Sequence, residues 1–261
     1  MRRPLELIDE LVAQGRQEFT FNVAQQALGT SASSTANVLR RLGDQGLVDR
    51  LTRGHYAIRP LGSLGTAAIT ADLAGVVGAA FEGRDHRIAY LSALSELSVV
   101  THPVRAVQVA CTEQVRFSAV SRRPLKLVME RAQTIHLEAD RVGTSWMSNL
   151  DRALFESALR VDLVGGSDRL AEALGSGASR ADPERIGRLA EAFGPRGQAA
   201  ERRLASLAAA LDLPLRLEPI VSARRPVIRL DPRDERSEWV DQRFRVSWNV
   251  TPDELWAVVG S

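Results

Sequence analysis

The residues whose types and spacing best support chemistry lie between positions 28 and 48. Ser33, Ser34, Asn37, Arg40 and Arg41 follow a glycine-containing turn, Gly29-Thr30-Ser31, and alternate with Thr35, Val38, Leu39 and Leu42 at helical spacing. On a helix the two sets separate, giving one apolar face and one polar face. Small residues at the helix start allow a close approach to a duplex. An asparagine can pair bidentately with adenine, and an arginine with guanine or a phosphate. This is the chemistry of a helix that reads a DNA major groove. After Gly46 the pattern changes to two short apolar runs, around Leu47–Leu51 and Tyr56–Ile58, joined by Thr52-Arg53-Gly54. Such a hairpin would carry Arg50, Arg53 and His55, with Arg53 at its tip, placed for a minor groove or a flanking phosphate. The predicted DNA-contacting set is therefore Ser33, Ser34, Asn37, Arg40, Arg41 and Arg53.

Two plainer readings stand beside this one. An Arg-Arg pair on a helix is ordinarily a solvated face, and winged helices also serve as protein-docking modules. Clustering favours DNA. Residues 1–60 carry eight Arg against six Asp or Glu, and the positive residues fall at the tail (Arg2, Arg3), the reading helix and the hairpin.

Catalytic chemistry finds little footing. His55, His86, His102 and His136 have no metal-ligand spacing among themselves or with Cys111. Neither a nucleophile elbow nor a phosphate-binding glycine loop occurs. Gly165-Gly166, Gly175-Ser176-Gly177 and Gly194-Pro195-Arg196-Gly197 read as helix stops and turns. Asp231, Asp234 and Glu235 crowd one segment, where a solvated loop is the ordinary outcome. No catalytic residue, metal ligand or cofactor is expected, and the chain reads as a non-enzyme.

The elements that must position the reading residues follow from period and punctuation. A helix is expected over Leu5–Gln14, ending at Gly15, and a second over Val23–Leu28, capped by Asn22. The reading helix starts at a Ser31 cap. These with the hairpin make a winged helix-turn-helix over residues 1–60. Pro60 to Gly65 reads as a linker. Residues 66–261 read as a larger mixed α+β domain. Helix is expected to about Phe81, over Arg87–Leu97, Asn149–Leu159, Ser167–Leu174, Pro183–Phe193 and Arg196–Leu211, and after a Thr251 cap. Strands are expected over Val104–Cys111, Leu125–Met129, Thr134–Leu137, Arg141–Trp146, Val227–Leu230 and Phe244–Trp248. The pairs Arg122-Arg123, Arg202-Arg203 and Arg224-Arg225 could meet nucleic acid or an acidic partner, or simply be solvated.

Bulk properties set the bounds. At 261 residues the chain allows one or two domains, and its formal charge of +2 confines any DNA-binding role to local clustering. Lys126 is the sole lysine, a bias that fits a genome rich in G and C. The single Cys111 makes no internal disulfide and sits in an apolar run that suggests a buried strand. Met1-Arg2-Arg3-Pro4 leads into an amphipathic segment, not a signal peptide. The longest apolar stretch, Ala67 to Phe81, is interrupted by Thr70 and Asp72. A cytoplasmic location without membrane contact is the expectation.

Further along, Tyr90-Leu91-Ser92-Ala93-Leu94-Ser95-Glu96-Leu97 resembles a helix of the AbiEi-type antitoxins. The block from Thr144 to Glu156, with its Asp151-Arg152-Ala153-Leu154, resembles that family's strand and following short helix. Asp162-Leu163-Val164-Gly165-Gly166 is similar to its next turn. Arg188-Leu189-Ala190 and Arg202 to Leu207 are similar to its paired late helices. Where that family has His-Gly-Leu-Thr after the first of these helices, this chain has Val99 to Pro103. The resemblance implies an antitoxin paired with a nucleotidyltransferase toxin. It implies a winged helix that binds an inverted-repeat operator in the protein's own promoter and represses it. It also implies antitoxin activity seated in the C-terminal domain, in many cases without a stable complex with the toxin. The rival reading is a ligand-responsive winged-helix regulator without a toxin partner.

Overall fold

Where helical periodicity is strong and capped, the chain is helical. The computed structural model describes residues 4–14, 16, 18–52, 54–59, 73–120, 123–222 and 224–259. In chain order these form α1 (Pro4–Ala13), β1 (Glu18–Thr20), α2 (Phe21–Leu28), α3 (Ala32–Asp44), β2 (Val48–Thr52), β3 (His55–Ile58), α4 (Leu73–Ala80), β4 (His86–Ile88), α5 (Tyr90–Glu96), β5 (Val107–Cys111), β6 (Ala119–Val120) and β7 (Arg123–Met129). There follow β8 (Ala139–Val142), β9 (Ser145–Ser148), α6 (Leu150–Leu159), α7 (Val161–Val164), α8 (Ser167–Gly177), α9 (Pro183–Ala192), α10 (Gly194–Ala210), β10 (Ile228–Arg229), β11 (Trp239–Asp241), β12 (Val246–Trp248) and α11 (Pro252–Val259). The fold is mixed α+β. No helix among the described residues is long and apolar enough to cross a membrane.

The chain divides into two compact units. The first takes residues 1–84 together with 115–125 and 142–145, and the second takes the rest. The expected linker, Pro60 to Gly65, lies outside the described residues.

In the first unit, Leu7 and Leu11 of α1, Phe19 of β1, Ala24 and Leu28 of α2, Leu39 and Leu42 of α3 and Val48 of β2 form one buried cluster. Each full burial of such a side chain is worth roughly 1.5–3 kcal/mol, enough in sum to fix how α3 sits on the sheet. That sheet has the order β1-β3-β2 and is antiparallel, with Phe19 opposite Tyr56 and Arg50 opposite Tyr56 on the other side. Phe19 and Tyr56 also stack, at 5.6 Å between ring centroids. Arg59 closes the open end of the hairpin, donating from Nε and Nη2 to Asp49 at 2.8 Å each. Around α4, Phe81 meets Phe117 edge to face at 5.2 Å, and a Cβ on Gly78 would strike Thr144.

In the second unit, β7, β5, β4, β9 and β8 lie side by side in that order. β4 runs antiparallel to β5 and parallel to β9. Helices α5 to α10 pack around a large apolar cluster that includes Leu94, Leu154, Phe155, Leu174, Ile186, Leu204 and Leu207. A small sheet, β10-β12-β11, brings in Trp248, which is buried and donates from Nε1 to Ser206 Oγ at 2.9 Å.

The same unit buries four charges together. Arg87 of β4 and Arg152 of α6 have no exposed surface. Arg87 contacts Glu156, Glu130 and the Ile135 carbonyl. Arg152 donates from Nε to Glu156 at 2.8 Å and also reaches Glu130. Ser148 donates to Glu156 at 2.9 Å. Burial alone would push the Glu156 carboxyl up, but Arg87 and Arg152 together hold it below the ordinary carboxylate range. Two cations and two anions cancel, which is why the group tolerates burial.

Several sequence expectations are corrected. Asn22 does not cap α2. Thr20 does, accepting from the Val23 N–H at 3.3 Å, because β1 carries the extended chain up to that residue. Arg87 to Leu97 is not one helix. It is β4 followed by α5, separated at Ala89, and Tyr90 starts α5 at a φ of +52°. Thr134 to Leu137 forms turns instead of a strand, and Arg141 to Trp146 is split by the turn at Gly143 into β8 and β9. Arg202 and Arg203 do not form a solvated face, since both are buried. Arg202 donates to the carbonyls of Phe244, Pro226 and Arg245, and Arg203 to those of Arg229 and Ala158.

Candidate nucleic-acid interface

The turn that presents α3 is set by two local devices. Gly29 ends α2 in the left-handed region at φ +62°, where a side chain would be strained, and its N–H returns to the Gln25 carbonyl at 3.0 Å. Ser31 then caps α3, its Oγ accepting from the Ser34 N–H at 3.3 Å. Thr35 is buried within this turn, and its hydroxyl donates to the Ser31 carbonyl at 3.0 Å.

With Thr35, Leu39 and Leu42 buried, the opposite side of α3 must face outward. Ser33, Ser34, Asn37, Arg40 and Arg41 are all exposed. Ser33, Asn37, Arg40 and Asp44 fall along one stripe of that side, at spacings of three and four residues. The Ser33 and Ser34 hydroxyls each lie 3.1 Å from Ser31 Oγ, so the first turn is a small polar platform. The Asn37 amide makes no hydrogen bond among the described residues. Arg40 pairs with Asp44 at 3.5 Å, both side chains about two-thirds exposed at 68% and 67%. Such a pair contributes about 0–1 kcal/mol and yields easily to a phosphate. Arg41 has no carboxylate partner among the described residues.

The hairpin of β2 and β3 flanks α3. Gly54 at its tip adopts φ +87°, and its carbonyl accepts from the Phe21 N–H at 2.7 Å, which ties the tip to the start of α2. Arg50 is exposed on β2. A cleft of about 880 Å³ opens between α3 and the hairpin, with Leu39 and Tyr56 among its apolar walls and Arg40 and Arg50 among its basic ones. Arg53 lies outside the described residues.

Of the expected set, five residues are thus brought to one helix surface. Asp44, a carboxylate on the same stripe, was overlooked in the sequence, although its four-residue spacing from Arg40 signals the pairing. Among the described residues no group of His, Cys, Asp or Glu could hold a metal ion. Asp234, one of the crowded acids, is engaged by Arg236 and by Asn249.

Neither the models of protein families nor the curated proteins give a match to this chain. Among solved structures the outcome differs. The chain is similar to the RV2827C protein from Mycobacterium tuberculosis. The two superpose with a TM-score of 0.69 over 98% of this chain and 94% of that one, at 19% identity. At that identity the likeness establishes the shared fold alone.

Proposed function

We propose that the first unit is a winged helix-turn-helix that reads double-stranded DNA, and that the chain is an autoregulatory antitoxin of the AbiEi type. The observation that carries the DNA reading is the uncovered polar stripe of α3, with Asn37 and Arg40 at its centre. Support comes from its surroundings: a helix start rich in hydroxyls, a glycine-closed turn after α2, and a hairpin beside it that can act as the wing. In this reading α3 enters the major groove. Asn37 and Arg40 meet base edges or adjacent phosphates, Ser33 and Ser34 face the backbone at the helix N-terminus, and Arg41 takes a phosphate. Arg53 serves the wing tip. Two copies would read the halves of an inverted repeat.

The antitoxin part rests on the ordered blocks that resemble the AbiEi-type family, from Tyr90 through Arg202. Its partners are operator DNA and a nucleotidyltransferase toxin encoded beside it, with no stable complex required. It acts in the cytoplasm and is not an enzyme. The DNA reading is tested by selecting duplexes from a random pool with the full chain. Enrichment of an inverted repeat present in the protein's own promoter is expected, and a pool that stays random rejects it. The antitoxin part is tested by co-expression with the neighbouring toxin. Restored growth is expected, and continued toxicity rejects that part in favour of a ligand-responsive regulator.

A further inference from the structure

The second unit contains a cavity of about 380 Å³ whose polar lining is almost wholly cationic. Arg160 and Asp162 reach it from the junction of α6 and α7, Arg196, Ala199 and Arg203 from α10, and Arg233 from the segment after β10. The α10 residues recur at spacings of three and four, so they share one helix face, with the small Ala199 leaving room between two guanidinium groups. Four guanidinium groups against one carboxylate leave a formal excess of three positive charges.

The one carboxylate is already committed. Asp162 accepts from Arg160 Nε at 2.8 Å and Nη2 at 2.9 Å, and from Arg233 Nη2 at 2.9 Å. These contacts, the Arg160 hydrogen bonds foremost, hold its carboxyl below the ordinary range. Asp162 therefore orients two of the arginines without balancing the others. Arg203 is 7% exposed and donates only to neutral carbonyls, Arg229 O at 2.8 Å and Ala158 O at 3.0 Å. Burial, with Arg202 beside it, pulls its guanidinium down to about 10, and the Asp231 carboxylate offsets only part of this. Arg196 has neither a hydrogen bond nor an ion pair to the described residues. A buried cation with no ion-paired carboxylate is costly, and a bound anion reduces that cost.

We infer that this cavity is a binding site for a small phosphate-bearing anion, a phosphomonoester or a diphosphate. A free guanidinium fork such as that of Arg196 matches phosphate oxygens bidentately, and several guanidinium charges gathered around one space favour multiply charged oxyanions over chloride or carboxylate. The volume lies at the small end of the range for small-molecule sites, about 300–1,000 Å³, and suits a phosphate with a compact organic body. The inference stands apart from the DNA reading of the first unit, so either can fail alone.

The test is calorimetric titration of the full chain at fixed ionic strength with pyrophosphate and ribose 5-phosphate, with ribose as the uncharged control. Saturable binding of both phosphate-bearing probes and none of ribose is expected. Arg196→Ala and Arg233→Ala should each weaken it about tenfold or more, as loss of a charge-assisted hydrogen bond requires. Arg196→Lys should weaken it less, and the exposed Arg180→Ala should leave it unchanged. All these side chains are exposed, and unchanged melting midpoints verify folding. Absence of saturable binding, or equal weakening by Arg180→Ala, overturns the proposal. So does competitive displacement of pyrophosphate by duplex DNA together with a reduced salt dependence of DNA binding in Arg196→Ala, which would give these arginines to a nucleic-acid backbone instead.

Discussion

The tripeptide Arg-Arg-Leu occurs in α3 as Arg40-Arg41-Leu42 and in α10 as Arg202-Arg203-Leu204. Both leucines are buried in their own cores. The arginines meet opposite fates. Those of α3 extend into solvent, while those of α10 are enclosed and spend their N–H groups on five backbone carbonyls. The local sequence is the same, so the difference comes from what the fold brings opposite each helix. α3 is covered on one side only. α10 is met on its second side by the segments around Pro226, Arg229 and Phe244, whose carbonyls need donors. An arginine pair therefore forms an outward-facing surface only where the chain supplies no acceptors of its own, and an enclosed arginine such as Arg203 can serve only an internal cavity.

The largest effect should come from breaking the buried charge group of the second unit. Glu156→Gln leaves Arg87 and Arg152 short of an anion and should cost about 3–5 kcal/mol in urea unfolding. Acid gives the same information without mutation. The folded Glu156 sits below its unfolded value of about 4.3, so its contribution is complete above that pH and is lost as pH falls through the folded value. The variant should lack that part of the acid loss. A variant as stable as the parent would show that the group is held by packing alone.

A direct contrast of the two arginine pairs comes next. Arg202→Leu strips donors from the carbonyls of Phe244, Pro226 and Arg245 and should cost about 2–3 kcal/mol. Arg41→Leu should stay within about 0.5 kcal/mol of the parent. Equal losses in thermal unfolding would contradict this difference between the two helices.

The smallest effect sharpens the reading of α3. Asp44→Asn releases Arg40 from its 3.5 Å pair and removes a carboxylate from the polar stripe. Fluorescence anisotropy should show DNA binding strengthened by about two- to fivefold on every sequence, as removal of a weak surface repulsion allows. Weaker binding would mean that the pair holds Arg40 in its working position.

Much of the first unit was legible because its signals are local. Gly29, the Ser31 cap and the spacing of Thr35, Leu39 and Leu42 place α3 and its outward face without any distant contact. Thr20 carries no local signal of its capping role because β1 is only three residues long and gains its identity by pairing with β3. Likewise β4 is three residues, His86–Ile88, and only its neighbours β5 and β9 separate it from the helical pattern that follows. The buried charges were the least legible. Arg87 and its partner Glu130 lie 43 residues apart, and Arg202 meets a carbonyl 42 residues away. No spacing rule connects such positions, and charged side chains are by default assigned to solvent.

The central claim, that the exposed stripe of α3 reads DNA bases, is tested most directly by titrating the full chain, Asn37→Ala and Arg41→Ala against a selected duplex and a random one over a series of salt concentrations. Asn37→Ala should lose about 1–3 kcal/mol on the selected duplex only, with its salt slope intact, whereas Arg41→Ala should weaken both duplexes alike and lower the slope by about one. Binding of both variants indistinguishable from the parent on both duplexes would contradict the account.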